Sequence, residues 1–203
     1  IRNGGIAMDG NKPEVSEEEK VESENKEITE KSHFDESGNL KPNEKYEVNG
    51  YKYETDSKGR ISRCEGDLRL EQGMRNPVAQ REVGGKDRHI GDGVEYDIKD
   101  KDDGGHLIAT RFDGSGEKDN LVAQNYNLNR GEYKKMETGW ANTLKETEKN
   151  GEQKYDVHVE IKPVYRGDSQ RPGAFIVNEE IKDWETGETV SKQTRRFRND
   201  YQV

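Results

Sequence analysis

The sequence predicts an α+β fold, an antiparallel sheet packed against one main helix. Two observations carry this. Polar and apolar residues alternate in short runs, as in Tyr51-Lys52-Tyr53 and Val157-His158-Val159-Glu160-Ile161, the period of half-buried strands. Between them Tyr133, Met136, Trp140 and Leu144 recur at three- and four-residue spacing, the stripe of one amphipathic helix.

Residues 1–45 read as a charged linker or disordered segment, because Glu17-Glu18-Glu19-Lys20 to Lys31 is nearly empty of large apolar groups and cannot offset its ordering entropy by burial. Order is expected from Tyr46, with residues 46–203 as the folded domain. Tyr46–Val48 and Tyr51–Thr55 flank Asn49-Gly50, a hairpin turn. Asp56 to Gly59 turns into a strand at Arg60–Cys64. Residues 69–81 are ambiguous, since Pro77 limits a helix. Gly84 to Asp103 reads as a long loop with one short strand at Val94–Tyr96. His106 to Phe112 reads as a buried strand broken by Asp113-Gly114. The helix should start at Asn127 or Asn129, both good caps, and end near Lys149-Asn150-Gly151. A strand through Val157–Val164 is bent or ended by Pro163, and Ala174–Val177 opens another. Asp183–Glu188 turns into the last strand.

Apolar residues are 27% of the 203 and charged residues 38%, against about 45–50% and about 25% in ordinary domains. The core is therefore small or part of the chain is unpacked. The first residue is Ile, so the chain reads as a piece of a longer polypeptide. A lone cysteine, Cys64, excludes an internal disulfide, and no apolar run reaches the ~18 residues of a membrane span. The net charge is -9, and residues 1–50 hold 13 of the acids and 7 of the bases. The rest is near neutral with local basic clusters, and a cleft needs only a local positive field to attract a polyanion.

The chemistry concentrates between Asp103 and Glu137. His106 follows two glycines, which permit close approach, and Asp103 three residues earlier could orient its imidazole. His33, His89 and His158 read as structural or exposed. Asn120, Asn125, Asn127 and Asn129 fall within ten residues. One or two would cap turns; an amide oxygen among them suits a hard cation that keeps most of its waters. Zinc spacing is absent. On one continuous helix Asn129 and Glu137 would lie within roughly 80° of each other, so both could border one cleft.

Asp103-Gly104-Gly105-His106 resembles the Asp-Arg-Gly-His motif of the DNA/RNA non-specific endonucleases, the Serratia-type family with a ββα-metal (His-Me finger) core. Asn120-Leu121-Val122-Ala123-Gln124, Leu128-Asn129-Arg130-Gly131-Glu132-Tyr133 and Met136-Glu137 resemble that family's next motifs at the same spacing. The departure is Gly104, where the family often has Arg. The resemblance implies His106 as general base, Asn129 as the Mg²⁺ ligand with Mn²⁺ able to substitute, and Glu137 as a supporting acid. Asn120 and Gln124 would organise the site and contact substrate. Arg60, then Arg88, is the expected phosphate clamp. Further stretches, among them Arg75-Asn76, Gln80-Arg81, Gly84-Gly85-Lys86-Asp87-Arg88 and Arg171-Pro172, are similar to C-terminal nuclease toxins of Gram-positive type VII secretion, of the LXG-like kind. That implies a secreted protein acting on DNA or RNA in a target-cell cytoplasm and a cognate immunity protein; the lack of a long apolar run separately predicts no membrane insertion. The rival class is a non-catalytic interaction module, in which the Asn cluster is turn chemistry alone.

Overall fold

The computed structural model describes residues 32–85 and 102–201. Asn49 and Gly50 take positive φ angles of 53° and 83° and fold β1 (Lys45–Val48) back onto β2 (Tyr51–Thr55). With β3 (Ile61–Asp67), β6 (Tyr155–Tyr165), β7 (Pro172–Asp183) and β8 (Thr189–Arg198) they form one six-stranded sheet in the order β1-β2-β3-β6-β7-β8. All neighbours are antiparallel. The alternation seen in sequence is the burial pattern: Val157, Val159 and Ile161 are buried, while His158 and Glu160 are only partly so. Pro163 neither ends nor visibly interrupts β6. It pairs with Phe175, and the register shifts only after Val164.

Helix α3 (Glu132–Lys145) buries Tyr133, Met136, Trp140, Ala141 and Leu144, the predicted stripe. These side chains share one core with Val157, Val159, Ile161 and Phe175. Burying each large side chain stabilises by about 1.5–3 kcal/mol. The Trp140 indole also donates to Glu179 Oε1 at 3.0 Å. The helix stops at Lys145 rather than near Lys149; Gly151, at φ 84°, belongs to a separate turn.

Between β3 and α3 lies a smaller unit. Its two strands, β4 (Asp103–His106) and β5 (Leu121–Gln124), pair only with each other, so that Asp103 faces Gln124 and His106 faces Leu121. The expected strand from His106 to Phe112 is thus displaced: His106 closes β4 instead of opening a strand. Residues 107–112 form an irregular loop whose Leu107, Ile108 and Phe112 are buried. Asn120 holds that loop. It donates to the Ile108 and Ser115 carbonyls (2.7 and 2.8 Å) and accepts from Ile108 N–H (3.0 Å) and the Tyr53 hydroxyl (2.7 Å).

Two helix starts also differ from expectation. Pro77 does not limit a helix but begins one, α1 (Pro77–Gly84), where its missing N–H costs nothing. Asn76 caps it, accepting from Val78 and Ala79 N–H at 3.1 Å. Downstream the cap is Asn125, not Asn127 or Asn129, and it opens the short α2 (Tyr126–Arg130). Gly131 separates α2 from α3. Strand, strand and helix nonetheless follow in ββα order.

The compact unit begins at His33, earlier than Tyr46. His33 is 3% exposed, shares a 2.9 Å hydrogen bond with Asp119 and stacks on Tyr46, with ring centroids 4.2 Å apart. Residues 33–45 therefore belong to the folded unit rather than to a linker. The acidic run before residue 32, Arg88, His89 and the short strand at Val94–Tyr96 lie outside the described residues. Among the described residues no helix is long and apolar enough to cross a membrane.

Candidate active site

His106, Asn129 and Glu137 line one cleft of about 690 Å³. Three elements converge there: the end of β4 brings His106, α2 brings Asn129 and the second turn of α3 brings Glu137. Because Gly131 breaks the helix, the last two meet by a change of chain direction, not by continuous helical spacing. A Cβ at Gly131 would come 2.5 Å from the Asn127 carbonyl oxygen, so the break requires glycine.

The imidazole of His106 is held uncharged. Burial is the larger cause and the positive charge of Arg75 the second; together they lower its pKa from 6.5 to about 4. Its Nε2 is buried with no hydrogen-bond partner among the described residues. A neutral imidazole with an unused ring nitrogen can accept a proton. Asp103, expected to orient this ring, serves Asn129 and Arg130 instead. It accepts from Asn129 Nδ2 at 2.9 Å and from Nε and Nη2 on one edge of the Arg130 guanidinium at 2.9 and 2.7 Å. An odd offset along an extended strand turns Asp103 and His106 in different directions. With its amide nitrogen tied to Asp103, Asn129 offers Oδ1 to a ligand.

Burial pushes the Glu137 carboxyl up to about 8, against the opposing pull of Arg111, Arg75 and Lys134. A carboxyl in that state suits a bound cation, which would restore its charge. Asn129 and Glu137 are hard oxygen donors. No group of three or more His, Cys, Asp or Glu among the described residues is placed to hold a metal. The donor set therefore fits a hard divalent ion that takes its remaining ligands from water and substrate, and does not fit a closed zinc site.

Arg75, Arg111 and Lys134 also line the cleft and make no salt bridge among the described residues. Sequence reasoning gave these three no role, although Lys134 and Glu137 stand at i,i+3 on one helix face. The expected clamp, Arg60, lies elsewhere and lines a second cavity. Its guanidinium is consumed by Asp56 (2.7 Å) and the carbonyls of Gly167 (2.7 Å) and Ser169 (3.0 Å), and it covers the Tyr165 ring. Asn120 and Gln124 do not reach the cleft either; they are 0% and 1% exposed. Gln124 packs its Oε1 against Gly105, where any Cβ would collide with it. Both organise the ribbon and contact no substrate space.

Over 149 residues the chain is 42% identical to the type VII secretion system protein EssD of Staphylococcus aureus strains USA300 and NCTC 8325. This stretch is 70% of the chain but 22% of EssD, so the chain spans about a fifth of that relative. A solved structure of an extracellular endonuclease aligns at 18% identity and TM-score 0.45, covering 71% of this chain and 75% of its own. A structure described as Sda1 nuclease with bound zinc ion aligns at 16% identity and TM-score 0.47, covering 73% and 75%. Residues 42–183 match the DNA/RNA non-specific endonuclease family, and the chain belongs to that family.

Proposed function

We propose that this chain is a divalent-metal-dependent, sequence-non-specific endonuclease hydrolysing the phosphodiester bonds of DNA or RNA. One observation carries the reading: a neutral imidazole, an amide oxygen and a carboxyl share a cleft with Arg75, Arg111 and Lys134. His106 accepts the proton of the water that attacks phosphorus. Its depressed pKa keeps it in the base form throughout the neutral range. Arg75, Arg111 and Lys134 draw the phosphate in and offset its growing charge. Asn129 and Glu137 would hold Mg²⁺, or Mn²⁺ in its place; bound there, the ion stabilises the pentavalent phosphorus and its leaving oxygen. A grip made on backbone charge carries little sequence preference.

The similarity to EssD supports a further reading. The chain would be exported by a type VII route, act as an antibacterial toxin in the target-cell cytoplasm, and be neutralised in its producer by an immunity protein that covers or distorts the cleft. Plasmid DNA incubated with the purified protein should be degraded in Mg²⁺ and left intact in EDTA. DNA and RNA that both stay intact in Mg²⁺ and in Mn²⁺ would return the chain to the class of binding modules. Expression in a bacterial cytoplasm should stop growth, and His106→Ala should restore it. Normal growth with active wild-type enzyme present removes the toxin reading while leaving the nuclease.

A further inference from the structure

The helix that carries Asn129 is held by residues from the opposite end of the chain. After β8 the segment Asn199–Tyr201 leaves the sheet and runs against the β4–β5 ribbon. Asn199 is 2% exposed. Its Oδ1 accepts the Asn125 N–H at 2.7 Å, and its Nδ2 donates to the carbonyls of Ala123 (3.0 Å) and Pro172 (2.7 Å). Asn125 returns a bond to the Asp200 carbonyl at 2.8 Å. One side chain therefore joins the end of β5, the cap of α2 and the start of β7.

Arg171 makes the second tie. It donates to Asp102 at 2.7 and 3.2 Å and to the carbonyls of Asn199 (2.5 Å) and Asp200 (3.1 Å), and covers the Tyr201 ring at 4.2 Å. Asp102 immediately precedes Asp103, which holds the Asn129 amide. Two routes thus run from the C-terminal segment to Asn129: one through the cap of α2, the other through Arg171 and Asp102. The family match ends at residue 183, so the segment lies beyond it.

Physical reasons favour positioning over bulk stability. A buried ion pair contributes little net stability compared with apolar residues of the same volume. An isolated two-stranded ribbon is marginal in water, and a five-residue helix cannot hold its own direction. The orientation of Asn129 must come from outside these elements.

We propose that Asn199–Tyr201, acting with Arg171, is a clamp that positions Asn129 for the divalent ion. The proposal rests on Asn129 as the residue that holds that ion. Asn199→Ala keeps the buried ion pair and is the variant to use; Arg171→Lys, which keeps the charge and loses the planar fork, is the second. Each should raise the half-saturating Mg²⁺ concentration for DNA cleavage about tenfold, the low end for residues supporting a metal ligand. Each should also speed amide exchange at Asn129 and Gly131 about tenfold while leaving β6 and the middle of β7 unchanged. Wild-type Mg²⁺ dependence with wild-type exchange in α2 overturns the clamp. So does faster exchange throughout the sheet, which would mark global destabilisation. Asn129→Ala separates the two readings: if it leaves the Mg²⁺ requirement unchanged, the metal assignment fails and exchange in α2 alone decides the clamp.

Discussion

Glu160 and Glu137 are the same residue in two regions, and the regions hold them in opposite states. Glu160 sits on β6, in the partly exposed face of the large sheet. Burial pulls its carboxyl up, but hydrogen bonds from Arg63, Asn178 and Lys162 outweigh this and keep it below the ordinary glutamate value. Glu137 sits in the cleft, where burial overcomes Arg111, Arg75 and Lys134 and carries the carboxyl up to about 8. The arginines repeat the contrast. Arg60 is spent on Asp56, two carbonyls and a tyrosine ring; among the described residues Arg75 reaches only the Thr110 hydroxyl, at 3.4 Å. The sheet and its turns satisfy these charges with partners from neighbouring strands and loops. The cleft leaves them turned toward a space. Perturbed groups gathered in a cleft mark a candidate functional site.

The largest expected effect is at His106. His106→Ala should lower DNA cleavage by about 10²–10⁴-fold with circular dichroism unchanged, and a folded variant cutting at the wild-type rate would sink its role as base. Next come the paired glutamates. Glu137→Gln should cut the rate about 10- to 100-fold and weaken Mg²⁺ dependence. Glu160→Gln should leave both alone and change unfolding free energy by no more than about 1 kcal/mol, as for partly exposed ion pairs. Equal effects at the two sites would erase the contrast between regions.

The smallest effect concerns the arginines and pH. With Mg²⁺ saturating, so that Glu137 stays ionised, the base form of His106 prevails above its pKa and the rate should fall as pH drops towards 4. The same shift makes a stability contribution fully present above the ordinary pKa of 6.5 and lost as pH falls through about 4. Arg75→Gln removes one cause of the shift, so the acid limb of the rate profile should move to higher pH and KM should rise. Arg60→Gln should lower thermal stability and leave that profile in place. A profile moved by Arg60→Gln and not by Arg75→Gln would reverse the assignment.

The hairpin at Asn49-Gly50 and the stripe from Tyr133 to Leu144 were legible because turn and period are local properties. That His106, Asn129 and Glu137 share one cleft was foreshadowed by motifs at the spacing of the family they resemble. What stayed hidden depends on partners far along the chain. His33 is buried by Asp119, 86 residues away. Asn120 reads as substrate contact until Tyr53 claims it from 67 residues away. Arg60 reads as a free cation until Gly167, 107 residues on, takes its guanidinium. Pro77 shows a different kind of miss: the residue that stops a helix internally is also a preferred first residue.

The Asp-Gly-Gly-His strand has a consequence for how this protein can change. A Cβ at Gly104 would run into the main chain of Gln80, and one at Gly84 into the main chain of residues 102–104. Helix α1 and β4 thus touch backbone to backbone. The motif that this strand resembles carries arginine at the position of Gly104, and here no single substitution can restore it. The helix would have to withdraw first, and withdrawal would carry off Arg75, which stands just before it. A side chain at residue 104 and the present seat of α1 exclude each other. Variation at residue 104 and variation across residues 75–84 should therefore be inherited as a block.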